Sequence, residues 1–329
     1  MNHTVPTPSF GPALSNDDHD LVPRPSPGRE SVAFDFPGVE VGTAEYAEGP
    51  TGVTVVHVPA GARMHIDERG GAIGLFYGDK QYAHAVCLAG GSLYGLGACA
   101  GVADELRARV DNRVGWNDLK CVSGAIIYDF AARDSAVVPD AALGRAALRG
   151  AGHGSFPVGR AGAGISASVG KVDWERCEFA GQGAAFRQVG DVKILAATVV
   201  NAVGVIVDRD GTVVRGNHDP ATGTRRLPHH DYEAALAGKG PRTRAGNTTI
   251  SVLVTNARLG DRELEQFGRQ VHGSMHRGIQ PFHTSLDGDT LFTLTTDEVD
   301  LPSDPAANVV GLGSVAGEVM WDAILSSVR

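Results

Sequence analysis

At 329 residues, with 42% hydrophobic and 20% charged side chains, the chain can bury one large core or two modest ones. Its net charge of −9, from 38 acidic and 29 basic residues with no run of Lys or Arg, excludes the basic face that a nucleic-acid partner requires. No apolar stretch approaches the roughly 20 residues of a membrane span. Residues 1–30 carry Asp and Pro where a signal peptide needs an apolar block, so a cytoplasmic protein is expected. Cys87, Cys99, Cys121 and Cys177 form no C-x-x-C pair and read as free, mostly buried thiols in a reducing compartment.

Residues 1–30 hold six prolines and few large apolar side chains, a composition that predicts a disordered tail ahead of a single domain over 31–329. Segments 38–45 and 53–59, joined by Glu48-Gly49-Pro50, read as a β-hairpin. Residues 83–88 form a short apolar strand that runs into Gly90-Gly91-Ser92. A helix follows over 92–110, with Gly95, Gly97, Ala98, Ala100 and Gly101 small enough to let it lie close to a sheet. Residues 124–130 read as a buried strand and 139–148 as a helix with Pro139 near its start. Two β-branched strands, 193–200 and 203–207, turn through Asp208-Arg209-Asp210-Gly211 into 212–215. Residues 216–247, polar and rich in Gly, Pro, His and Arg, predict one long exposed loop. A buried strand over 249–255 follows, then a helix over 261–277 with Leu264, Phe267, Val271 and Met275 at helical spacing. A strand over 291–295 and a final helix from 306 complete the chain. The uneven alternation predicts an α/β fold with helices layered on sheet.

The chemistry centres on Gly246-Asn247-Thr248-Thr249, where the polar segment ends abruptly at a hydroxyl residue that opens a buried strand. A self-processing hydrolase needs this geometry. The Thr248 hydroxyl can attack the Asn247 carbonyl in an N-to-O acyl shift, and water can release the ester. The new terminus then carries a hydroxyl beside an α-amine, whose pKa of about 7.7–8.0 suits it to take the hydroxyl proton near neutrality. A threonine at a strand start is ordinarily structural, so the weight comes from its company. The blocks Ala89-Gly90-Gly91, Ile127-Tyr128-Asp129-Phe130, Gly170-Lys171-Val172-Asp173-Trp174, Asn201-Ala202-Val203-Gly204 and Gly246-Asn247-Thr248-Thr249 occur in this order. Met275-His276-Arg277-Gly278-Ile279-Gln280-Pro281-Phe282-His283-Thr284 and Asp287-Gly288-Asp289-Thr290 follow. In these blocks, and so over 30–329, the chain resembles the nylon-oligomer hydrolases, which act within 6-aminohexanoate oligomers and are grouped with the L-aminopeptidase/D-esterase family of self-cleaving hydrolases.

The resemblance implies a four-layer αββα sandwich like that of N-terminal-nucleophile hydrolases. It implies autocleavage between Asn247 and Thr248 into 31–247 and 248–329, a homotetramer of the cleaved pairs, and neither a metal nor an organic cofactor. It implies endo-hydrolysis of linear oligoamides through an acyl-enzyme on Thr248. The alternative is an aminopeptidase or D-esterase acting on short peptides or aminoacyl amides; that branch typically cuts a Gly–Ser bond, whereas this chain has Asn–Thr. A third reading is an uncleaved binding protein on the same scaffold.

Asp287 and Asp289, i and i+2 on an extended segment, would both face Thr248; without the resemblance they read as a solvated turn. Lys171, after the Gly-rich run 161–170, would favour an anionic transition state or help deprotonate the hydroxyl, a place in the site that the resemblance implies. Asn201, at the end of an apolar strand, would donate to the developing oxyanion. Tyr128, within a buried strand, would hydrogen-bond into the site or serve as a core tyrosine. His272 and His276, four apart on a helix, and the later His283 lack the Glu of an H-E-x-x-H zinc motif and read as structural. The Gly95–Gly101 run lacks dinucleotide-loop spacing, and no G-x-S-x-G elbow is present.

Overall fold

The computed structural model describes residues 3–9, 11–18, 20–240, 246–304 and 306–329. Ten strands join into one hydrogen-bonded sheet: β1 (Arg24–Pro25), β2 (Glu40–Tyr46), β3 (Thr51–Glu68), β4 (Leu75–Phe76), β5 (Tyr82–Ala89), β6 (Val122–Ile126), β7 (Gln182–Val189), β8 (Val192–Asn201), β9 (Thr248–Ala257) and β10 (Thr290–Val299). Their order is β7-β8-β9-β10-β3-β5-β6-β4, with β2 against the first half of β3 and β1 beyond β2. Neighbours are antiparallel except β9 with β10 and β5 with β6. The 18-residue β3 is the hinge of this sheet. Its first half pairs with β2 and its second half with β10, and its register against β5 shifts between His57 and Ala62. Pro59, which cannot donate to a ladder, lies in that bulge, and the strand re-aims there. One sheet thus becomes two facing layers.

The helices are α1 (Gly97–Arg109), α2 (Phe130–Arg133), α3 (Ala141–Arg149), α4 (His229–Leu236), α5 (Asp261–Ser274) and α6 (Val309–Ser326). Strand alternation sorts the side chains between layers. Leu195, Ala197 and Val199 of β8 face the space between the sheets and meet Val56, Val86, Leu88, Val252 and Phe292 there. Ile194, Ala196 and Val200, on the opposite face, lie under Phe267 and Val271 of α5 and Val319, Met320 and Ile324 of α6. On the far side α1 and α3 cover Val53, Val55, Ala85 and Cys87. The architecture is the expected αββα sandwich.

Several local expectations need correction. β6 stops at Ile126, so Tyr128 follows the strand instead of lying in it. The expected loop at 216–247 holds a small hairpin, His218–Asp219 with Thr224–Arg225, and then α4. Its structure rests on polar partners: Asn217 Nδ2 donates to Asp231 at 2.8 Å, and Arg225 grips Glu178 through two bonds of 2.7 Å. No hydrophobic period announces such an element; its residues 241–245 lie outside the described residues. Within the expected N-terminal tail, the described residues Val5 and Pro6 lie on the body. Val5 is buried beside Ala131, Trp174 and Cys177, its N–H donates to Cys177 O at 3.2 Å, and Trp174 Nε1 donates to Pro6 O at 3.1 Å. Contrary to expectation, α6 is long and apolar enough to cross a bilayer by length and composition, but here half of it is buried in the outer core. All four cysteines are free, and Cys121 alone of them is partly exposed.

Candidate functional site

The β-branched runs at the end of β8 and the start of β9 pair in a register that sets Asn201 opposite Thr248. Beside them the chain around Lys171 is tied to the turn after β8: Gly170 N donates to Gly204 O at 2.7 Å and Lys171 N to Val203 O at 3.0 Å. The Lys171 side chain therefore runs inward and is only 2% exposed. Its Nζ donates to Asn201 Oδ1 at 2.8 Å, to Asn201 O at 3.0 Å and to Gly246 O at 3.4 Å, three acceptors for the three donors of an ammonium. Burial pulls the Lys171 pKa down to about 8, against the opposing pull of Cys177, Asp287 and Asp129.

Asn201 is engaged through both ends of its side-chain amide. Its Oδ1 also accepts from Ser168 N at 3.0 Å, and its Nδ2 donates to Tyr128 O at 3.0 Å. One of the two amide N–H donors expected to serve an oxyanion is thus given to Tyr128, and through its Oδ1 Asn201 anchors Lys171. Tyr128 takes part through its carbonyl, while its half-buried ring lies against Gly246, where a Cβ would run into it. Gly246 holds φ at +103°, a conformation that favours glycine.

The Asn247–Thr248 bond is held from the other side. Asn247 bridges Asp287 in parallel fashion, and Gly288 N donates to Asn247 O at 3.0 Å. The Thr248 hydroxyl donates to the same oxygen. A Cβ on Gly288 would sit 2.8 Å from Thr248 Oγ1 and 2.5 Å from Ala72 O, so only glycine brings this N–H to the carbonyl. The main-chain donor is the element that side-chain reasoning missed; it becomes visible only once the parallel bridge is known.

Asp287 and Asp289 are both fully buried and flank Thr248, but their oxygens are taken by other groups than its hydroxyl. Asp287 Oδ1 accepts from Val203 N at 3.3 Å, and Oδ2 accepts from the Thr284 hydroxyl. Burial, then the neighbouring Asp289, pushes Asp287 up to about 6. Asp289 Oδ1 accepts from Thr249 N at 2.8 Å, and Oδ2 from His283 N at 2.9 Å. Asp289 thus holds the main chain just after Thr248, while Asp287 holds the turn after β8 through Val203. Sequence spacing brought the two carboxyls to the site but did not single out Thr284, and it weighed His283 only as a metal ligand and not as a partner of Asp289. His272 turns to Asp67, with Nδ1 to Oδ2 at 2.9 Å. Among the described residues no group of three or more His, Cys, Asp or Glu side chains is arranged to hold a metal ion.

A hydroxyl beside a carbonyl, a main-chain N–H on that carbonyl's oxygen and a desolvated lysine nearby are the parts needed for acyl transfer. The model of Peptidase family S58 matches residues 32–329. A 6-aminohexanoate-oligomer endohydrolase of Paenarthrobacter ureafaciens is 60% identical over 328 residues, 97% of this chain and 92% of that protein. One of the same description from Agromyces sp. (strain KY5R) is 59% identical with the same coverage. Among solved structures, the L-aminopeptidase D-Ala-esterase/amidase of Ochrobactrum anthropi, described as a new variant among the Ntn hydrolase fold, aligns with a TM-score of 0.65. It shares 16% identity over 88% of this chain and 83% of that one, a likeness of fold.

Proposed function

The chain belongs to peptidase family S58, and from that membership we propose that it is an amide hydrolase that cleaves its own Asn247–Thr248 bond and then uses the freed Thr248 on linear amide oligomers of the 6-aminohexanoate type. The observation that carries this reading is the Thr248 hydroxyl seated on Asn247 O while Gly288 N–H donates to that oxygen at 3.0 Å. In the self-cleavage step Oγ attacks the Asn247 carbonyl carbon and gives up its proton. Lys171, whose burial lowers its pKa to about 8, accepts that proton in its neutral amine form. Negative charge that develops on Asn247 O meets a preset donor. Collapse breaks the C–N bond, the nitrogen takes up a proton, and an ester remains. Water then yields the Asn247 carboxylate and a free threonyl terminus.

On a substrate the α-amine of Thr248 accepts the hydroxyl proton as Oγ attacks the amide carbonyl. The amine product leaves with a proton, and water frees the acyl group. Lys171, anchored by Asn201, and the two aspartates keep the strand start in register for this attack; Tyr128 walls the Gly246 side. The 60% identical relative carries the oligoamide part of the proposal through its name. The fold neighbour, an L-aminopeptidase and esterase/amidase, favours the alternative of short peptides or aminoacyl amides. We place the processed pairs in a homotetramer in the cytoplasm, which native mass spectrometry and fractionation would check.

Intact mass measurement with N-terminal sequencing tests the cleavage. The wild type is expected to give two pieces, one beginning at Thr248, and Thr248→Ala a single uncut chain without activity. Cleavage and turnover in Thr248→Ala at the wild-type rate would falsify the reading. Comparing kcat/KM on linear 6-aminohexanoate oligomers with that on aminoacyl amides decides between the two substrate classes.

A further inference from the structure

Behind the aspartates a second tier of charged and aromatic groups runs from the site toward the surface. His283 lies in the left-handed region at φ +56°, unusual for a residue other than glycine or asparagine. Its N–H donates to Asp289 Oδ2 at 2.9 Å, and its ring Nδ1 lies 3.2 Å from the same oxygen. A carboxylate only accepts, so Nδ1 carries a ring hydrogen, and Nε2 lies on the far side of the ring. That Nε2 is buried and has no partner, and so is His272 Nε2. The two rings meet edge to face with centroids 4.4 Å apart. His272, itself fully buried, gives its Nδ1 to Asp67, which also receives Arg69 Nε at 2.6 Å. Arg69 and Gly70 close the loop by donating their main-chain N–H groups to Asp289 O at 3.0 and 3.3 Å. Phe282 and His276 wall the His283 ring, at 4.0 and 5.2 Å between centroids.

We propose that His283 is a positioning residue of the reaction centre: its strained backbone and its ring Nδ1–H fix Asp289 so that the other carboxylate oxygen holds Thr249 N–H and thereby the Thr248 hydroxyl. Backbone strain persists only where surrounding structure enforces it, and it gathers at functional sites. Two donors on one oxygen leave the carboxylate a single orientation. The His272–Asp67–Arg69 group locks the ring from behind, as supporting hydrogen bonds do for groups that must be placed to within a fraction of an ångström. The proposal rests on Thr248 being the nucleophile.

His283→Gly and His283→Asn separate the effects, because both residues accept the left-handed backbone. Glycine removes the ring donor, whereas the Asn side-chain amide restores one near the place of Nδ1. His283→Gly is expected to slow self-cleavage and to lower kcat on a linear 6-aminohexanoate oligomer by about 10²-fold, the cost of a misplaced nucleophile, with KM changed far less. His283→Asn is expected to recover most of that loss, and imidazole added to His283→Gly to recover part of it. Wild-type kcat in His283→Gly would overturn the proposal, as would equal losses in both variants that track their melting temperatures without imidazole rescue. Thr248→Ala run alongside distinguishes the two levels: if it still cleaves, the nucleophile is wrong; if it does not while His283→Gly behaves as wild type, only the role of His283 falls.

Discussion

Two carboxyl groups two positions apart in a dry site cannot both ionise without cost. Burial and the nearby Asp289 raise Asp287 to about 6, and its bonds from Thr284 and Val203 together with the Lys171 charge only partly offset this. With the folded-state pKa above the ordinary value of 3.8, the protonated group favours the folded state. Its contribution is fully present below pH ~4 and is lost as the pH rises through ~6. Asp287→Asn removes the ionisation while keeping one acceptor for Val203 N–H. In the uncut Thr248→Ala background it is expected to raise the melting temperature at pH 7, with a ceiling of about 3 kcal/mol, and to give no gain at pH 4. Melts of the pair of variants at the two pH values check this, and a gain that is the same at both would count against it. On the proposed reading Asp287 gives up stability for chemistry, the usual direction of that trade.

At the scale of elements, the site is a strand start held in register. Gly246 precedes it with φ +103°, and the Tyr128 ring occupies the space a Cβ would need. Gly246→Ala therefore combines backbone strain of about 1–3 kcal/mol with a clash against that ring. It is expected to slow the proposed self-cleavage at least tenfold, since the Gly246 carbonyl, next to the bond proposed to break, also accepts from Lys171. Adding Tyr128→Ala removes the clash but not the strain, so the double variant should cleave faster than the single one; quenched time courses on denaturing gels measure both rates, and additive losses would show that the ring is not the obstacle.

Much at this scale was legible beforehand. β8 and β9 announce themselves as β-branched runs, and Thr248 as the point where a polar segment meets one of them. Legibility ends where structure depends on long-range polar pairing. Lys171 and Asn201 touch across a separation of 30 residues, and nothing local in either segment foretells that contact. The Asn201 amide could be read as a donor but not as one already committed to Tyr128 O. The hairpin and α4 within 216–247 are organised by Glu178, Asn217 and Asp231, so composition made them a loop. The Gly288 N–H was illegible for a simpler reason: a main-chain donor carries no sequence signature.

For the whole molecule, the position of the proposed scissile bond decides what a cut there can release. β9 and β10, both in the piece 248–329, lie side by side in the middle of the sheet, with β8 on one flank and β3 on the other, and both flanking strands belong to the larger piece. α5 and α6, also in the smaller piece, share one apolar core with β8, and Ser326 Oγ exchanges hydrogen bonds of 2.8 and 2.9 Å with the main chain of Ala184 in β7. Arg63 of β3 grips Asp297 of β10 through two bonds of 2.7 Å. Removing the smaller piece would open two inner strand edges and strip one face of the sheet, a cost spread over a whole core rather than over surface ion pairs. The cleaved pieces are therefore expected to elute as one species from a sizing column in equal molar amounts. Salt of about 1 M, which screens surface charges, should not part them, and they should separate only in denaturant. Gels of the column fractions decide the point, and the smaller piece eluting alone from native buffer would show that the sheet does not hold it.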